Sequence, residues 1–161
     1  MTIDPELLRR SFALVVERAP DLTHRFYETL FAKYPSTRSM FPRGSRARQE
    51  EMLARALTAV IEHLEQPTWL GPYLAALGAK HVEYGVRPEM YDWVGDALLT
   101  TLASVAGNEW MPELDWQWSE AYATIVALMR AGEPVEELDA VPISCLEEEA
   151  STSRVRPAPR S

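Results

Sequence analysis

Few residues in this chain could do chemistry, and they sit at telling places. His81 is one of three histidines, and it falls on an apolar stripe. Leu70, Tyr73, Leu74, Leu77 and His81 recur at helical intervals, so an imidazole lies on the inward face in the last turn of a helix. Gly85 and Pro88 follow as stop signals. Such a histidine is either a core residue satisfied by a neighbour or a ligand. His24 and His63 read as surface or boundary residues. Two other polar groups share apolar faces. Tyr27 stands beside Phe26 in the stripe Leu22, Phe26, Leu30, Phe31. Gln49 heads the face Leu53, Ala56, Leu57, Val60, Leu64, where a boundary position facing water is the plainer reading. Met40 and Phe41 occupy the corner between those two helices, although corners are usually polar. That pair either plugs the end of the core or walls a pocket.

The elements that must position these residues are all helical. Asp4-Pro5-Glu6 is a helix start, with a capping side chain, proline at the first helical position and an acid in the first turn. Helical periodicity then runs to Ala19, and Pro20-Asp21 opens a second helix that ends at Lys33-Tyr34-Pro35-Ser36. An irregular segment from Ser36 leads to a helix spanning Arg46 to about Leu64, and Gln66-Pro67-Thr68 reads as a break. The histidine helix is expected over Leu70–Val82. Pro88 opens the next, with Tyr91, Val94, Leu98, Thr101 and Leu102 inward, closing near Gly107. A turn containing Pro112 precedes a last helix from about Leu114 to Ala131. No β period is evident, so the fold class is all-α with about six or seven helices. Residues 1–133 form one domain. Residues 134–161, rich in Pro, Glu, Ser and Arg, are expected to be a disordered tail.

Composition narrows the function. A formal charge of −8 disfavours nucleic acid as a partner, because phosphate binding needs clustered cations. One cysteine, Cys145, excludes an internal disulfide and fits a reducing compartment. The first residues lack an apolar signal core, and no run is long enough to cross a bilayer. A cytoplasmic protein with no membrane partner is the expectation.

Polar tips between apolar helix faces suggest a pocket rather than a closed core. A flat apolar cofactor with one open coordination site would need one neutral imidazole, apolar walls and a few donors opposite the ligand. Haem has those requirements. The chain also resembles a known family: the globin domain of bacterial flavohaemoglobins and the related single-domain bacterial globins. The resemblance covers residues 5–133. It rests on LTHRFYETLF (Leu22–Phe31), the Met40-Phe41 corner, QEEML (Gln49–Leu53), GAKHVEYGVRPEMYDWVGDALL (Gly78–Leu99) and Glu120–Tyr122, with His81 following Gln49 at the interval the family shows.

The resemblance implies a globin fold around haem b, with His81 as the iron ligand. Tyr27 and Gln49 would be the distal hydrogen-bond donors. Tyr91 and Glu133 would be partners in the proximal cluster, making the imidazole more electron-rich. Phe41 would wedge the haem, and Leu53 would lie over the iron. Leu57, Leu77, Val86 and Val94 are assigned to the walls. Lys80 is placed to reach a propionate, the alternative being an exposed lysine. O2, NO and CO would be the ligands. Flavohaemoglobins turn NO and O2 into nitrate with an attached flavin and nicotinamide reductase, and the residues after Glu133 are too few for that domain. The expected function is therefore O2 binding with NO oxidation supported by a separate reductase. A gas sensor or oxygen carrier acting through a partner is the alternative.

Overall fold

A computed structural model describes residues 2–133, and the expected tail lies outside them. The described chain holds six α-helices: α1 (Pro5–Arg18), α2 (Leu22–Lys33), α3 (Arg46–Glu62), α4 (Pro67–Glu83), α5 (Pro88–Ala106) and α6 (Pro112–Arg130). Short 3-10 turns, Pro35–Met40 and Gly107–Glu109, follow α2 and α5. No strand occurs among the described residues.

Proline sets the start of four helices. Pro5, Pro67, Pro88 and Pro112 each occupy a first helical position, where the missing N–H would have no partner in any case. At α1 the Asp4 carboxylate completes the start by accepting from the backbone N–H groups of Glu6 and Leu7. The same rule corrects two expected boundaries. Pro67 and Pro112 begin α4 and α6, rather than standing in the breaks before them. Pro72 lies inside α4, which the histidine stripe runs past unbroken. The segment after α2 coils into a 3-10 turn, with the Thr37 hydroxyl donating to the Tyr34 carbonyl at 2.7 Å.

The core is divided. The larger cluster draws Leu8, Val15, Phe26, Tyr27, Leu30, Leu98, Leu102 and Trp118 from α1, α2, α5 and α6. Within it the Trp118 indole N–H donates to the buried Ser11 hydroxyl at 3.0 Å, tying α6 to α1. The smaller cluster is Val60, Leu70, Leu74, Tyr91 and Met129. Helix α4 is held chiefly by α6, while α3 is held by α1 and α2. Helices α3 and α4 hardly touch along their lengths, though Val60 joins Leu70 and Leu74 in the smaller cluster.

Candidate functional site

The expected site residues divide between the two clusters. Tyr27 is a buried member of the larger one, and Phe41, Leu53, Leu57 and Val94 pack against it while partly buried. Tyr91 is a buried member of the smaller one, and Leu77 and Val86 pack against that. His81 is half-buried near the end of α4.

On the α4 side, His81 Nδ1 lies 2.6 Å from the Leu77 carbonyl. A carbonyl only accepts, so Nδ1 carries the proton and Nε2 keeps the lone pair that could bind a metal. The i−4 carbonyl also fixes the ring's rotation, as metal-ligating histidines require. The Tyr91 ring lies 6.4 Å from the imidazole at an interplanar angle of 25°. The Tyr91 hydroxyl is buried without any hydrogen-bond partner, the one such side-chain atom among the described residues. Burial, then the negative charge of Glu133, raises its pKa, so it stays protonated. Its helix is anchored by Tyr122, whose hydroxyl donates to the Tyr91 carbonyl at 2.5 Å.

Three residues given roles by the resemblance have other contacts in the structure. Glu133 follows α6 and pairs with Arg130 at 3.5 Å, while the Leu77 carbonyl takes His81 Nδ1. Lys80 points outward and pairs with Glu83 at 3.5 Å. Gln49 sits half-buried in the first turns of α3, and its backbone carbonyl, rather than its amide, is the group 3.5 Å from the Tyr27 hydroxyl. That contact is at the outer limit of a hydrogen bond.

Tyr27 is packed on every side. Phe26, Phe31 and Phe41 surround its ring, the Phe41 contact being edge-on at 5.5 Å. Burial pushes its pKa up to about 12, so the hydroxyl is a donor at any ordinary pH. Periodicity did not single out Arg46, whose guanidinium lies 5.5 Å from the Tyr27 ring centroid and 5.4 Å from that of Phe31. It is fixed by Glu50, Glu28 and the His24 carbonyl, and His24 Nδ1 meets Glu50 at 2.7 Å. The available signal was the i, i+4 spacing of Arg46 and Glu50 at the head of α3. His63, a boundary residue, stacks on Trp69 at 3.6 Å.

Nε2 of His81 is thus available from one cluster and a neutral phenol is presented by the other. Partly buried apolar side chains lie on both. Among the described residues no three His, Cys, Asp or Glu side chains converge on a point. The Tyr91 hydroxyl remains an unused donor beside the His81 ring.

The described residues form an all-α domain in which a half-buried histidine, two buried tyrosines and apolar side chains lie on the packed helices. The profile of the globin family matches residues 24–129, and the chain belongs to that family. Membership implies haem. The chain is similar to flavohemoproteins of Rhodopirellula baltica (33% identical over 80% of this chain and 33% of the relative) and Bordetella parapertussis (32%, over 76% and 31%). It spans about a third of the length of these curated relatives. Its fold matches an engineered carbene transferase from Rhodothermus marinus (TM-score 0.71, 24% identical, covering 92% of this chain and 99% of that one). It also matches a bacterial globin from Campylobacter jejuni (TM-score 0.68, 23% identical, 80% and 93%). Among the described residues no helix is long and apolar enough to cross a membrane.

Proposed function

We propose that the chain binds haem b through His81 Nε2, takes O2, NO or CO as ligand, and oxidises NO with O2 when a separate reductase supplies electrons. Bound haem supplies an iron with redox chemistry and a position for a diatomic gas. The remaining work falls to the chain. His81 is held in one tautomer by the Leu77 carbonyl. Tyr27 offers a donor that does not ionise near neutral pH, and the Gln49 amide is assigned as a second on the strength of the resemblance alone. Tyr91 keeps an unused donor next to the imidazole, with the Glu133 charge nearby to hold it protonated. Phe41, Leu53, Leu57, Leu77, Val86 and Val94 supply apolar walls, and Lys80 is a surface cation for a propionate.

The observation that supports this reading best is the His81 imidazole, its Nδ1 held on the Leu77 carbonyl, beside Tyr91, whose buried hydroxyl has no partner. The relatives' name joins a flavin and a haem, and this chain aligns to about a third of their length. An electron donor outside residues 1–133 is therefore part of the proposal, in the cytoplasm where reduced nicotinamide is made. The oxidised, reduced and CO-treated absorption spectra of the purified protein test it. A haem spectrum lost in His81→Ala is expected. A colourless protein that refuses added haemin, or an unchanged spectrum in His81→Ala, overturns it. Sustained NO consumption with a reductase extract separates the enzyme from a gas sensor or carrier, which would show one turnover only.

A further inference from the structure

Helices α4 and α6 approach more closely than side chains allow, at two reciprocal points. A Cβ on Gly78 of α4 would lie 1.7 Å from the Met129 carbonyl oxygen and 2.4 Å from its carbon, both in the α6 backbone. A Cβ on Gly132, just past α6, would lie 2.0 Å from the Ala75 carbonyl oxygen in the α4 backbone. The order of these contacts, 75 with 132 and 78 with 129, makes the pair antiparallel. Only backbone atoms are met, so no rotamer change can relieve a substitution. Gly71, on the same helix, has open space around it.

One turn beyond Gly78 is His81, and next to Gly132 is Glu133. We propose that Gly78 and Gly132 are positioning residues: a two-point backbone clamp that sets the height of His81, and with it the strain on the bond from its Nε2 to a bound iron. The proposal rests on the haem reading above. Ordinary carbon-to-oxygen contact needs about 3.3 Å or more, so an alanine at 78 displaces α4 by about 1.5 Å at that point. A shift of that size exceeds the tolerance of a metal–nitrogen bond, which must lengthen, tilt or break. Pro72 compounds the effect. Lacking the N–H that would bond within α4, it makes the helix depend on α6 for its line.

The test uses resonance Raman spectra of the ferrous protein, read at the iron–histidine stretch, in parent, Gly71→Ala, Gly78→Ala and Gly132→Ala chains. The clamp predicts a shifted stretch and at least tenfold faster haem loss to apomyoglobin for Gly78→Ala and Gly132→Ala. Gly71→Ala should match the parent. A parallel set in the His81→Gly background, with imidazole added as an untethered ligand, should show the same iron–imidazole stretch in every variant. An unshifted stretch in both clamp variants overturns the clamp while leaving haem binding intact. So does a shift that persists with untethered imidazole. If Gly78→Ala does not fold, Gly132→Ala carries the test, because it lies beyond the last turn of α6. A parent chain that holds no haem fails the underlying reading instead, before any variant is compared.

Discussion

The Tyr91 hydroxyl offers a test whose sign differs between two states of one protein. In the described structure it is buried with no partner, and an unsatisfied buried polar group costs about 1–3 kcal/mol. Tyr91→Phe removes that hydroxyl and keeps the ring, with its packing in the smaller cluster and its tilt against His81. The haem-free variant should therefore be more stable than its parent by about 1 kcal/mol or more. For a domain of this size each kcal/mol raises Tm by about 3–5 °C. In the haem-loaded protein the hydroxyl is expected to act as a donor in the proximal cluster, so the gain should vanish or reverse. Urea unfolding of both proteins, with and without haemin, closes the cycle. A haem-free Tyr91→Phe that is less stable than its parent would refute the reasoning. It would mean that the hydroxyl is satisfied, by Glu133 or by water, and is not held in reserve.

Two further outcomes concern Tyr27. Tyr27→Phe should speed O2 dissociation about 10- to 100-fold, the effect of losing a donor worth about 1–3 kcal/mol, in a stopped-flow displacement by CO; an unaltered rate would mean that the hydroxyl does not meet the ligand. The pKa of Tyr27, raised by burial to about 12 from an unfolded value of 10.0, means that the unfolded chain loses its proton first. Its contribution to stability is complete below pH 10 and is lost as pH climbs through about 12. Urea midpoints between pH 8 and 12 should fall above pH 10, and less steeply in Tyr27→Phe.

Much of this molecule can be read from residue spacing, and the parts that cannot have identifiable physical causes. The stripe Leu70-Tyr73-Leu74-Leu77 lies on the packed side of α4, because burial is what periodicity reports, and His81 at its end is half-buried. The same logic misplaced the starts of α4 and α6. A proline is compatible with a break or with a first helical position, and only the following contacts decide. The pairing of Gln49 with Tyr27 came from the resemblance, and spacing cannot say that the Gln49 carbonyl rather than its amide faces the phenol. The Leu77 carbonyl as the partner of His81 is a backbone group and leaves no trace in side-chain pattern. Gly78 and Gly132 were silent for a related reason. A glycine chosen for close approach looks like any other until a second backbone is known to lie against it.

The divided core has a bearing on how so large a prosthetic group gets in. Two apolar nuclei need not open together, since cooperative units open with separate free energies. Since α4 is fastened to α6 and hardly touches α3, the seam that would part is the one between α3 and α4, leaving the aromatic nest of Tyr27, Phe31 and Phe41 in place. Loading then needs only a partial, reversible excursion from the native state.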